Sequence, residues 1–306
     1  MTNKNQDPGL GVSYGKKINR LLNENGSFNI KRKGATSWYR DAYSFLIEIS
    51  GLQFLGLTFC LYLGLNFLFA FFYYLLGAEN ISGINTAENF FLQCFYLSTQ
   101  TFTTVGYGGL FPKGNIGNSI ATIEAFTGFL SFSLTTGILY GRFSKPNSKI
   151  SFSKNILLTQ HKNNRAVMFK MVNARKNVLL KAKSDVILIC DKQHPSSPFE
   201  KEYTQLKLEI SSINFFPLTW TVVHVIDEKS PFHNLSLDDL KTRNAEIIVL
   251  VKAFDETFSQ EIYEKHSYAH TQWKENATFK RSFKVTDDGV VELYVNQLHD
   301  LDSLPK

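Results

Sequence analysis

The apolar positions of this chain are clumped. Residues 52–76 run for 25 positions without a charge, and residues 116–140 for another 25 with one, Glu124. A helix crossing a bilayer needs roughly 20 apolar residues, so the pattern predicts two spans. Between them, 88–101 is too short to cross and too apolar for an ordinary outer loop, which predicts a short re-entrant helix. Before the first span, Trp38, Ala42, Phe45, Leu46 and Ile49 share one helical face, and Ser37, Asp41, Ser44 and Glu48 the other. That helix is expected to lie along the inner membrane surface with Trp38 and Tyr43 at headgroup level, because Asp41 and Glu48 are costly deeper in the bilayer. Pro146 stops the second span. Beyond it the period changes to two. Leu206, Leu208 and Ile210 alternate with Lys207 and Glu209. Phe283 and Val285 run into Asp287-Asp288-Gly289 and then Val291, Leu293 and Val295, which reads as a hairpin. Residues 186–190, 219–225 and 247–251 are further strands. The expected organisation is an arm over 1–35, an interfacial helix over 36–50, a two-span membrane domain over 51–146, and an all-β sandwich over 147–306.

Composition alters this picture little. Hydrophobic residues at 43% and charged residues at 20% give a mean hydropathy of −0.13, an average that hides the spans. The spans exclude a soluble enzyme and a secreted disulfide scaffold. Cys60, Cys94 and Cys190 fall in separate elements and indicate neither a bridge nor a metal site. The net charge of +6 is unevenly placed. Residues 1–40 hold eight Lys or Arg against two acids, 77–115 holds only Lys113 as a base, and Arg142, Lys145 and Lys149 follow the second span. This bias puts both termini in the cytoplasm, as expected of a multi-pass protein of the cell (inner) membrane. No nucleic-acid motif accompanies the charge. Residues 1–33 lack a signal-peptide pattern and read as a flexible arm. His266 and His270, spaced i, i+4, resemble half a metal site, but no third ligand or general base has matching spacing. No enzyme activity and no cofactor are expected.

The chemistry lies after the re-entrant stretch, where Thr104-Val105-Gly106-Tyr107-Gly108 follows Thr103. These five residues match the TVGYG loop of potassium-channel filters, and here the chain resembles two-span potassium channels. A potassium ion must exchange its water for a ring of oxygens. Backbone carbonyls supply them if successive residues turn them inward, and glycine reaches backbone shapes that other residues adopt poorly. Thr104 adds a hydroxyl at the inner end, and Val105 and Tyr107 are expected to point outward and pack on the short helix. One loop is a quarter of such a ring, so the chain is expected to be a cyclic homotetramer, with potassium ions in the filter as the bound species. In the second span Gly128, Phe132, Thr136 and Tyr140 recur every four residues. If this face lines the pore, four Tyr140 rings form an apolar cytoplasmic constriction. Gly128 and Gly137 are the expected hinges. Glu124 is expected to face the short helix and bond Gln100 or nearby backbone.

The cytoplasmic half narrows the resemblance. Asn173-Ala174-Arg175, then 224–231 reading HVIDEKSP, then Glu256-Thr257-Phe258-Ser259-Gln260 occur in an order similar to that of inward-rectifier potassium channels. With GRFSKP at 141–146 and the filter, the resemblance covers about 36–300 and looks closest to the bacterial, KirBac-like branch. It implies an immunoglobulin-like cytoplasmic sandwich continuing the pore, and sensitivity to membrane lipids, anionic or phosphoinositide, for which Arg142, Lys145 and Lys149 are the basic candidates. Two departures stand out. The positions at which strong rectifiers carry acids align with Phe132 and Lys181, so steep voltage-dependent block does not follow from the resemblance. The alternative is a two-span potassium channel gated by a different cytoplasmic ligand with little rectification. A nucleotide-binding version of it requires a G-x-G-x-x-G fingerprint, and none follows Pro146.

Overall fold

A computed structural model describes residues 7–12, 20–23, 26–31, 33, 42–145, 149–192 and 200–303. The chain divides into two compact units, Gly34–Lys145 and Met1–Lys33 with Pro146–Lys306.

The first unit is helical. Helix α1 spans Ala42–Glu48 and α2 spans Gly51–Leu76. Ser50 separates them with extended backbone (φ −61°, ψ 155°). Its hydroxyl accepts the Gln53 amide at 3.2 Å and Gln53 Oε1 accepts the Ser50 amide at 3.0 Å. This capping box starts a new helix, so α1 is an element of its own, as its polarity pattern predicts. Trp38 and Asp41, part of that pattern, lie outside the described residues. Helix α3 spans Phe90–Phe102, capped by the Asn89 side chain on the Leu92 amide at 3.1 Å. Helix α4 spans Gly114–Ser144 and is continuous through Gly128 and Gly137. It ends two residues before Pro146, itself outside the described residues. Helices α2 and α4 are long and apolar enough to cross a membrane and remain mostly exposed in the chain. A two-residue ladder joins β1 (Ile81–Ser82) to β2 (Phe111–Pro112). It brackets α3 and the loop that follows.

The second unit is a β-sandwich. Strands β3 (Ile150–Phe152), β4 (Ile156–His161), β5 (Asn164–Asn173), β6 (Leu179–Asp191), β7 (Lys201–Gln205), β8 (Ser212–Phe216) and β9 (Thr219–Val225) come first. After helix α5 (Leu237–Thr242) come β10 (Glu246–Asp255), β11 (Gln260–Ala269) and β12 (Trp273–Glu275). One sheet runs β11-β10-β6-β7 with β8 on β6, and the other β12-β4-β5-β3 with β9 on β5. Leu158, Val167 and Val222 of one sheet meet Val186, Leu188 and Val249 of the other in the core. The chain closes with β13 (Ala277–Phe279), β14 (Phe283–Val285), β15 (Val291–Leu293) and β16 (Leu301–Ser303). The 287–289 hairpin joins β14 to β15, with Gly289 at φ +77°.

Three expectations change. Leu206 to Ile210 is not a ladder strand. Leu206 donates its amide to Val186 in one sheet and Glu209 to Val223 in the other, so this alternating stretch is a linker between β7 and β8 of one sheet that also bonds β9 of the other. Val295 lies in a 3-10 turn, not in the hairpin. The arm is not free. Leu21 and Leu22 are buried against Ile189, Tyr203 and Ile248, and the Glu246 carboxylate accepts their amides at 3.0 and 3.2 Å. Lys265 lies over the Phe28 ring at 4.9 Å. The polar, Gly/Asn-rich composition concealed a short apolar pair that docks on the sheet.

Candidate functional site

Helix α3 delivers the chain directly into Thr104–Gly108. The Gln100 carbonyl, in the last turn, accepts the amides of Val105 at 3.0 Å and Gly106 at 3.3 Å. Thr104, Gly106 and Gly108 have φ of +59°, +54° and +81°, whereas Val105 and Tyr107 are not in the positive region. A positive φ is uncommon for any residue with a Cβ and an outlier for a β-branched threonine. Such strain persists where function requires the backbone shape. Alternation of the sign of φ turns successive peptides to the same side, which a row of carbonyls facing one axis requires. Within the single chain the loop has no opposite wall. Val105 and Tyr107 stay 53% and 82% exposed, so the expected packing on α3 does not occur within the chain.

The four-residue stripe on α4 divides. Glu124 and Gly128 are buried, whereas Phe132 and Tyr140 are about three-quarters exposed and Thr136 is exposed with them. A Cβ on Gly128 would collide with the Phe102 carbonyl, so Gly128 is a site of close helix approach, not part of an open face. A Cβ on Gly137 would meet nothing within 4 Å among the described residues. Thr104 and Phe132 line one recess of about 620 Å³ with Leu55, Thr58 and Tyr62. Glu124 does face α3, but it bonds Ser98 and, at 2.7 Å, the Tyr73 hydroxyl, not Gln100. Among the described residues, Gln100 Oε1 is buried without a hydrogen-bond partner.

Arg142 departs from its expected lipid role. Its guanidinium donates to the carbonyls of Leu46, Ile47 (3.1 Å) and Ile49 (2.7 Å) and lies 5.0 Å from the Phe54 ring. It caps the end of α1. Lys145 and Lys149 remain exposed.

In the sandwich, Lys181 is exposed at φ +49° where the β6–β10 register slips. That is a β-bulge, which re-aims a side chain. Two of the stretches behind the family resemblance meet. Asn177 donates to Asp255 at 2.8 Å and Arg175 lies 5.6 Å from the Phe258 ring. His224 is buried and bonds the Lys207 carbonyl at 2.7 Å and Ser230 at 2.8 Å. His266 stacks on Phe152 at 4.6 Å. Among the described residues no three His, Cys, Asp or Glu gather as a metal site.

Residues 150–304 match the family described as the inward rectifier potassium channel C-terminal domain, and 57–145 match an ion-channel family. The inward rectifier potassium channel Kirbac3.1 of Paramagnetospirillum magnetotacticum is 30% identical over 284 residues, 92% of this chain and 95% of that protein. This chain belongs to the inward-rectifier potassium channel family. The G protein-activated inward rectifier potassium channel 1 of Homo sapiens is 25% identical over 195 residues, 60% of this chain and 38% of that one. The G protein-activated inward rectifier potassium channel 4 of Bos taurus is 22% identical over 94% of this chain and 74% of its own length. The inward-rectifier fold accounts for the two spans followed by a β-rich domain, and the family's activity is that of a potassium channel.

Sequence reasoning missed Ser98, Tyr73 and Asn66 behind the filter and the capping role of Arg142. The signal for the first three was polar residues inside apolar runs. A helix end without its own cation was the signal for Arg142, since no base occupies the last turn of α1.

Proposed function

We propose that four copies of the chain surround one axis and that Thr104, Val105, Gly106, Tyr107 and Gly108 of each form the potassium filter, with the ions held by backbone carbonyls. The alternation of positive φ along Thr104–Gly108, directly after α3, carries this reading. Phe132, Thr136 and Tyr140 line the path below the filter, and Tyr140 forms the constriction. Gly137 is the freer of the two hinge positions, because Gly128 is pinned against α3. Lys145 and Lys149 are the contacts for anionic lipid, including phosphoinositide, with Arg142 committed to α1. Both termini face the cytoplasm across the cell (inner) membrane, and the chain catalyses no reaction. Rectification is weak, a reading supported by an aromatic Phe132 and a basic Lys181 where strong rectifiers carry acids.

The test is potassium and sodium flux in liposomes. Gly106→Ala disfavours φ +54° and is expected to abolish potassium selectivity. A Gly106→Ala tetramer that conducts potassium with unchanged selectivity would place the filter elsewhere.

A further inference from the structure

The buried polar cluster behind the filter is explained by neither the filter nor the gate. Glu124 is fully buried, as are Asn66, Ser98 and Tyr73. They belong to three helices: Asn66 and Tyr73 to α2, Ser98 to α3, Glu124 to α4. No ion pair reaches Glu124 among the described residues. An ionised carboxylate buried without a cation is costly.

Counting protons decides the state of the cluster. Asn66 donates Nδ2–H to the Tyr62 carbonyl at 2.8 Å, so its oxygen is the atom turned to Ser98, at 3.1 Å. Tyr73 donates its hydroxyl to Glu124 Oε2 at 2.7 Å. Ser98 therefore lies between two oxygens, Asn66 Oδ1 and Glu124 Oε1. A serine hydroxyl has one proton to donate. Both contacts are hydrogen bonds only if Glu124 is the neutral acid. It then donates from Oε1 to Ser98, and Ser98 donates to Asn66. The result is one directed chain, Tyr73 to Glu124 to Ser98 to Asn66, with no donor or acceptor wasted.

Ser98 is two residues before Gln100, whose carbonyl holds the Val105 and Gly106 amides. One helical turn further on, Gly128 of α4 rests against the carbonyl of Phe102, the last residue of α3. Helix α4 thus grips α3 at two points, four residues apart on both helices. We propose that neutral Glu124 is a positioning residue for ion selectivity, fixing through Ser98 the pose at which α3 presents the filter. This rests on the reading of Thr104–Gly108 as the filter.

The experiment compares the sodium-to-potassium flux ratio of reconstituted Glu124→Gln, Glu124→Ala, Ser98→Ala and Gly106→Ala tetramers. Glutamine matches the neutral acid, since its amide donates to Ser98 and its oxygen accepts from Tyr73. Glu124→Gln should keep the native ratio. Glu124→Ala and Ser98→Ala should raise it by about fivefold, the factor one lost hydrogen bond represents. A merely structural role would lower assembly and total flux and leave the ratio unchanged. If Glu124→Ala fails to assemble, Ser98→Ala, which removes a single hydroxyl, carries the same expectation. The proposal is overturned if Glu124→Gln behaves like alanine, or if Ser98→Ala keeps the native ratio while Gly106→Ala loses it. A native ratio in Gly106→Ala removes the filter reading itself, and the proposal with it.

Discussion

At the scale of single residues, the environment of a side chain decides its role more than its type does. Glu124 was recognisable in the sequence because a lone acid in a span demands a partner, but its partners were not, since Ser98 and Tyr73 are brought to it only by packing. Gly128 and Gly137 look alike in the sequence, yet one is pressed against a carbonyl and the other is surrounded by open space. His224 illustrates the same point outside the membrane. It is buried, and its pKa is pushed below the ordinary 6.5, chiefly by desolvation, against smaller opposing effects of the Lys207 hydrogen bond and Asp227. The ring is therefore neutral, with Nδ1–H donating to Lys207 and Nε2 accepting from Ser230, whose oxygen in turn accepts the Phe232 amide at 3.2 Å. A folded-state pKa below the unfolded one means that the unfolded chain binds the proton first. Stability from this site is thus complete above about pH 6.5 and is lost as pH falls toward the folded value. Amide exchange over 224–232, corrected for intrinsic rates, should show protection falling as pH drops below about 6.5, and His224→Asn should remove that dependence. Protection that is constant or higher at the acid end would refute the assignment.

At the scale of elements, α1 and α4 illustrate coupling that no periodicity encodes. The last carbonyls of a helix lack intrahelical partners, and α1 has no base of its own to serve them. Arg142 supplies three hydrogen bonds from α4. Arg142→Ala should raise amide exchange over 42–49 by about tenfold or more, the range for hydrogen bonds to a charged group, with assembly unchanged. Arg142→Lys should be intermediate, since an ammonium is a point charge and not a planar fork. Unchanged exchange in the alanine variant would mean that α1 is held by its apolar side alone. Elements of this kind mark the limit of what the sequence makes legible. The spans, the short helix and the 287–289 hairpin were readable because each satisfies its needs locally, by length, period or turn chemistry. The arm was misread because its anchor, Glu246, is more than 200 positions away along the chain. Leu206–Ile210 was misread because alternation reports a chain with two faces, and a linker that bonds one sheet through Leu206 and the other through Glu209 has two faces as well.

At the scale of the whole molecule, the proposed four-copy arrangement makes the ion path a shared property, and the charge along that path would set how steeply the channel rectifies. A cation blocking from the cytoplasm needs a low-energy site along that path. Phe132, exposed on α4 and lining the recess shared with Thr104, offers a ring face, and cation–π attraction is worth only about 0.5–2 kcal/mol. Four carboxylates at that level would form a far deeper well, because charges in a narrow, low-dielectric passage interact strongly. Lys181 is exposed on its bulge with no ion pair among the described residues; if it faces the proposed path, its charge repels a blocker before the blocker arrives. Native current–voltage curves with internal magnesium or spermine should therefore rectify weakly. Phe132→Asp should increase the voltage-dependent block, and adding Lys181→Glu should increase it further, in planar bilayers with blocker on the cytoplasmic side. Steep block in the native channel would mean that other acids already form the site. No change on Phe132→Asp would place residue 132 away from the path. In that case the exposed face of α4 that includes Thr136 and Tyr140 would have to face lipid, and the constriction assigned to Tyr140 would be lost along with it, because one helix cannot turn the same stripe to the pore at one turn and to the bilayer at the next.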